Sequence, residues 1–302
     1  SACLVGSEMC IRDRFEMLLH GIKSGLIRWF PVDSAHILFL IYPAVGIILA
    51  TLFVKYIVRD NISEGVTRVL YAMSRRNSRI ARHNCWTSIV GGATTIGFGG
   101  SVGPEAPIVL TGAAIGSNIG RLARLNYKHT TLLLCCGAGA ALAAIFKAPI
   151  TGVVFVLEIL MLDITAGSVI PLLIASITAT TMAFMLRGFD PILAVTLAPA
   201  DAFELWQIPL FILLGVLCGL MAWYFTSMNS RVGGFFKSID KQYKKWLWGG
   251  AILGILIFVF PPLYGEGYEG FTSLMHGNAQ ELFNNSLFYR FRDIDWVIIL
   301  FV

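Results

Sequence analysis

Residues 99–120 read Gly-Gly-Ser-Val-Gly-Pro-Glu-Ala-Pro-Ile-Val-Leu-Thr-Gly-Ala-Ala-Ile-Gly-Ser-Asn-Ile-Gly, a glycine-rich break in apolar surroundings with a helix starting directly after it. Gly99, Gly100 and Gly103 permit a backbone turn that residues with a Cβ resist. Pro104 suits the first helical position, where no N–H is required. The N–H groups of the first turn then project from the helix start without intrahelical partners. Placed inside a bilayer, such a start is an anion site built from backbone. Irregular backbone survives at membrane depth only against protein or a water-filled cavity, and broken helices of this kind mark binding sites in membrane transport proteins.

The surroundings are membrane-like. The 302-residue chain is 56% hydrophobic and only 14% charged, against about 25% charged in a soluble domain. It reads as an all-α polytopic protein, multi-pass and integral to the lipid bilayer. The net charge of +5 gathers in short basic runs, as in loops on the cytoplasmic side. No basic stripe carries the interleaved aromatics of a nucleic-acid surface, so nucleic acid is not an expected partner. Of Cys3, Cys10, Cys85, Cys135, Cys136 and Cys218, four lie in or beside apolar segments, show no metal-ligand spacing and read as small buried hydrophobes. His36, His83 and His129 sit at segment edges with no acid or cysteine at ligand spacing. Neither a metal nor a cofactor is expected.

Residues 1–14 show no sustained helical period and read as a non-native leader outside the fold. Residues 15–34 suit an amphipathic helix at the membrane surface, with Lys23 and Arg28. Apolar or amphipathic segments follow at 35–58, 62–76, 85–98, 104–124, 130–145, 148–162, 167–186, 206–227 and 246–263. Val66, Val69, Leu70 and Met73 share one face of the second of these. Arg75, Arg76, Arg79 and Arg82 place their loop in the cytoplasm; Arg231, Lys237, Lys241, Lys244 and Lys245 mark a second cytoplasmic loop. The loop 187–204, with Asp190, Asp201 and Glu204, is placed outside. Simple alternation then puts Arg121, Arg124 and Lys128 outside as well, against the charge rule. Several segments fall short of the roughly 20 residues a crossing needs. The chain opens a further apolar segment at 295–302 and reads as a fragment. Gly112, Gly116 and Gly120, Gly215 and Gly219, and Gly250 and Gly254 each give a helix one smooth face for close packing.

Two motifs carry a resemblance. Gly100-Ser-Val-Gly-Pro104 resembles the Gly-Lys/Arg-Glu-Gly-Pro motif of the CLC chloride channel and transporter family. Phe146-Lys-Ala-Pro-Ile-Thr-Gly-Val-Val-Phe-Val-Leu-Glu158 resembles that family's Phe-Asn-Ala-Pro-Leu-Ala-Gly-x-x-Phe-x-x-Glu segment. The resemblance covers roughly residues 35–302. It implies an inverted-repeat fold with short, broken and reentrant helices. Residues 35–204 would be the first repeat and 205–302 the start of the second, with the family's Gly-x-Phe-x-Pro motif and pore tyrosine beyond Val302. It implies a homodimer with one pathway per subunit, its dimer surface on helices such as 167–186 and 206–227.

The resemblance also assigns a site. Helix starts of this family converge on a dehydrated anion, and partial positive charge is enough to hold chloride. By position Ser101, Val102 and Gly103 would supply backbone N–H groups, with Pro104 opening the helix. The nearest match to the family's Gly-Ser-Gly-Ile-Pro turn is Ser63-Glu-Gly-Val-Thr67. It brings in Ser63 and Gly65, with Glu64 where the family's serine lies. The family's antiporters use an outer and an inner glutamate to carry protons. Val102 stands at the outer position and Ile159 at the inner, directly after Glu158. Valine and isoleucine do not ionise, which implies passive chloride conduction rather than exchange. The alternative is a proton-coupled antiporter that uses Glu105 or Glu158. Glu105 otherwise reads as a carboxylate favoured by the helix start, paired with a basic neighbour. Lys147, where the family commonly has asparagine, either raises the anion concentration at the pore mouth or snorkels to an interface. A non-transporting membrane scaffold is a third reading. Neither Gly-x-Ser-x-Gly nor His-Glu-x-x-His occurs, and an enzyme is not expected.

Overall fold

A computed structural model of the chain describes residues 35–58, 65–188 and 207–275. The leader 1–14, the interfacial segment 15–34, Ser63, Glu64 and the loop acids Asp190, Asp201 and Glu204 lie outside the described residues. All regular structure among the described residues is helical: α1 Ala35–Phe53, continued by a wider π-type turn at Val54–Val58, α2 Gly65–Arg75, α3 Asn84–Gly97, α4 Glu105–Leu122, α5 Tyr127–Phe146, α6 Pro149–Glu158, α7 Ala166–Arg187, α8 Ile208–Lys237, α9 Gln242–Val259 and α10 Tyr268–Met275. Among the described residues, four helical stretches are long and apolar enough to cross a membrane: Ile41–Val58, Tyr127–Phe146, Ala166–Leu186 and Ile208–Lys237.

Local chemistry sets several boundaries. Asn126 caps α5 by accepting from the His129 N–H at 3.1 Å. Thr165 and Ser168 form a capping box at the start of α7, which satisfies two otherwise unpaired donors. Lys147, in the left-handed region at φ +51°, ends α5, and Pro149 opens α6. The amphipathic face expected on the segment 62–76 is present: Val69 is buried, and Val66, Leu70 and Met73 pack on the same core.

The core is organised around α5, which packs on α4, α6 and α7. Glycines bring these helices to backbone contact. A Cβ on Gly112 would run into the Gly137 carbonyl oxygen, one on Gly116 into that of Leu133, and one on Gly152 into that of Gly139. Gly250 packs in the same way on Ala44 of α1. The smooth face of Gly215 and Gly219 has no such neighbour among the described residues. Cys135 and Cys136 are buried as expected; Cys218, on α8, is exposed. The basic loop expected from Arg231 to Lys245 is mostly helical, since α8 runs to Lys237 and α9 starts at Gln242.

The short, reentrant helices implied by the resemblance are present, and they correct the simple alternation that placed Arg121, Arg124 and Lys128 outside. Helix α3 has 14 residues, about 21 Å at 1.5 Å per residue, too short for a hydrocarbon core of about 30 Å. It does not cross. The chain turns at 98–104, and α4 returns to the end from which α3 started. The base of this reentrant hairpin is closed by hydrogen bonds. The Ile80 N–H donates to Ser117 Oγ at 3.0 Å, and Ser117 Oγ donates to the Ser78 carbonyl at 2.6 Å. Asn118 Nδ2 donates to the Ile80 carbonyl at 3.4 Å, and Tyr127 Oη to that of Met73 at 3.0 Å. Arg121 and Arg124 therefore share one end of the molecule with Arg79, and the conflict with the charge rule disappears.

Candidate functional site

The hairpin tip is built by its glycines. Phe98 and Gly99 close α3 with N–H bonds to Thr94 and Ile96 carbonyls, and the Gly100 N–H reaches the Thr95 carbonyl at 2.8 Å. Gly99 has φ +93°, and a Cβ there would lie 2.5 Å from the Tyr264 ring. Both facts demand glycine at this position. Pro104, expected at the first helical position, is instead the N-cap, and Glu105 is the first helical residue.

The donors at the tip differ in one respect from expectation. The Val102 N–H is spent on the Gly100 carbonyl at 3.0 Å, so it is not offered to a ligand in this conformation. The N–H groups of Ser101, Gly103, Glu105 and Ala106 have no backbone partner among the described residues. Pro104 and Pro107 have none to give. Ser101, Val102 and Gly103 are exposed, Val102 by 52%. The tip is thus an open loop with four unpaired backbone donors next to the positive end of α4.

A second helix start comes to the same place. Gly65, the first residue of α2, lies against Ala106, where a Cβ would run into the Ala106 carbonyl oxygen. Gly65 is thus placed against Ala106 in the first turn of α4, while Ser63 lies outside the described residues.

The carboxylate of Glu105 folds back over Gly103 and accepts a hydrogen bond from Tyr268 Oη. Its described hydrogen-bond partner is thus a tyrosine, not the basic neighbour expected. Tyr264 Oη donates to the Gly97 carbonyl at 3.0 Å. These two tyrosines were not legible as site residues. Their signal is the run Tyr264-Gly-Glu-Gly-Tyr268, in which Gly265 and Gly267 both adopt positive φ.

The other expected residues lie on different elements. Glu158 ends α6 and is exposed, and Ile159 beside it is 42% exposed. Helix α6 packs on α5 and α7. Lys147 Nζ donates to the Gly188 carbonyl at 2.8 Å and lies 5.6 Å from the centre of the Phe184 ring. The ammonium thus fastens the end of α5 to the end of α7, where helix carbonyls favour a cation.

Fold and tip together define an all-α, multi-pass integral membrane protein with a reentrant hairpin. Residues 46–302 match the family described as voltage gated chloride channel, and the chain belongs to that family. It is 27% identical over 242 residues to a provisionally named ClcB-like chloride channel protein of Ralstonia nicotianae, covering 78% of this chain and 56% of that one. It is 27% identical over 283 residues to the H(+)/Cl(-) exchange transporter ClcA of Vibrio vulnificus, covering 87% of this chain and 59% of that one. The chain thus spans less than two thirds of the length of either relative. The solved structure of a slow cyanobacterial Cl-/H+ antiporter shares the fold, with a TM-score of 0.73 at 22% identity over 93% of this chain and 66% of that one.

Proposed function

We propose that this chain forms part of a passive chloride channel of the CLC type. The observation that carries the reading is the hairpin tip: the N–H groups of Ser101, Gly103, Glu105 and Ala106 are unpaired among the described residues, and Val102 in the same loop is exposed. Backbone donors hold a dehydrated anion without the tight grip of a full positive charge. Val102 and Ile159 offer no ionisable group where the family's proton carriers stand. Chloride is cargo, and no cofactor takes part. In this reading residues 35–204 are the first repeat and 205–302 open the second. The exposed apolar stripe of Ile170, Ile174 and Ile177 on α7 supports pairing of two copies.

A second reading, proton-coupled chloride exchange, is favoured by the Tyr268–Glu105 hydrogen bond and by the exchange transporters among the relatives. A carboxyl group at the tip with a hydroxyl beside it has the parts of a proton carrier. Chloride-driven proton movement into liposomes containing the full-length protein separates the two. Chloride flux without proton movement supports the channel. Proton pumping by the wild type that is lost in Glu105→Gln supports the exchanger.

A further inference from the structure

At the base of the hairpin, opposite to the tip, lies a cavity of about 450 Å³ lined by Arg79, Arg121, Arg124, Asn77, Tyr127 and Leu125 among others. It plays no part in the reading above. Three arginines line it and no lining residue is acidic. Arg121 is oriented by a hydrogen bond from Nη2 to Asn118 Oδ1, and Asn118 is itself held by the Ala114 carbonyl at 2.7 Å. The guanidinium groups of Arg79 and Arg124 have no partner among the described residues.

The backbone at this cavity is unusual. Helix α4 ends in a Schellman motif, with the Arg124 N–H on the Arg121 carbonyl at 3.1 Å and the Leu125 N–H on the Gly120 carbonyl at 3.0 Å. The residue at the turn of this motif is ordinarily glycine, because it takes a left-handed conformation. Here it is Arg124, at φ +53°. Asn77, on the facing wall, is left-handed too, at φ +49°. A strained arginine where glycine would be easier shows that local folding does not select it, and the open side chain faces the cavity.

We propose that this cavity binds a phosphate group, and that its source is the headgroup of an anionic phospholipid. Arginine forks match phosphate geometry, and basic pockets between membrane helices take such headgroups. The apolar rim points to a lipid rather than a free ion. Leu122 is 81% exposed and Leu125 41%, directly beside the arginines, where acyl chains would cover them.

The test uses the full-length protein purified in detergent, incubated with equal phosphatidylglycerol and phosphatidylcholine, with retained lipid counted by native mass spectrometry. The Arg79→Gln/Arg124→Gln double variant is expected to retain roughly thirtyfold less phosphatidylglycerol. Arg124→Gly removes one guanidinium and relieves its backbone, so it folds at least as well as the parent; retention falls roughly fivefold. Arg231→Gln/Lys237→Gln removes the same charge from the exposed end of α8 and leaves retention unchanged. Equal retention by Arg124→Gly and the parent overturns the proposal. So does an equal loss in the α8 control, which would mean surface charge alone. Inorganic phosphate is added in a final arm. If it fails to displace the lipid, the headgroup is the source; if it displaces it at equal concentration, the phosphate site stands and the lipid is overturned as its source.

Discussion

The hydroxyl of Tyr268 donates to the carboxylate of Glu105, across 163 positions of sequence. The bond fastens α10 to the first turn of α4, and Tyr264 fastens the same region to the end of α3 through the Gly97 carbonyl. The two tyrosines hold an open loop in place from outside the hairpin. A hydrogen bond to a charged acceptor contributes about 1.5–3 kcal/mol, one to a neutral carbonyl about 1. Tyr268→Phe is therefore expected to lower the denaturation midpoint in detergent more than Tyr264→Phe. Equal shifts would mean that Glu105 draws little from its tyrosine.

Gly99→Ala meets two obstacles at once. Its φ of +93° disfavours a Cβ, and the Tyr264 ring occupies the space. The backbone cost is about 1–2 kcal/mol, with the displaced ring in addition. Gly91, within α3, has nothing within 4 Å of the point where a Cβ would stand, and Gly91→Ala is expected to stabilise by about 0.5–1 kcal/mol. Thermal unfolding of the two variants should move in opposite directions.

Two buried serines should also behave differently. Ser117 Oγ serves both Ile80 and Ser78, and Ser117→Ala strands both partners at a cost of about 1–3 kcal/mol. Hydrogen exchange at the Ile80 amide should speed up. Ser88 Oγ is buried with no described partner. Ser88→Ala removes an unsatisfied group and is expected to be neutral or stabilising by about 1 kcal/mol.

Val102→Glu tests the proposed conduction path. At neutral pH the new carboxylate competes with chloride for the unpaired N–H groups of the tip, and flux is expected to fall roughly tenfold, the equivalent of about 1.4 kcal/mol. Acid that protonates the new side chain removes its charge, and flux is then expected to return. Flux in liposomes that ignores the substitution at every pH would remove residue 102 from the path.

Much of this architecture follows from local pattern. The break at Lys147 and Pro149, the amphipathic face of α2 and the packing glycines of α4 are all short-range signals, and each was legible. Short and reentrant helices were expected, but that α4 is the one that reverses was not, because the placement of Arg121, Arg124 and Lys128 followed simple alternation. Only the serine and asparagine bonds at the hairpin base, between residues some 37 positions apart, decide otherwise. At the tip the glycines were legible, but the use of the Val102 N–H within the turn was not, since it depends on the torsions of one loop. Tyr264 and Tyr268 belong to a distant segment, and the glycines between them signal a turn but not its partner; their role exists only once the chain has folded back on itself.

Helix α5 is apolar enough to span a bilayer, yet 13 of its 20 residues are buried in protein, whereas none of α8 is. The same helix therefore answers to two solvents in succession. During insertion it must partition into lipid, which rewards any large aliphatic side chain. After assembly it must admit the backbones of α4 and α6 at Gly137 and Gly139, which tolerates almost none. A change such as Gly137→Leu would improve the first step and ruin the second. For this helix the hydrophobicity that delivers it to the membrane and the smallness that lets it assemble are selected separately, and damage to the second leaves the first intact.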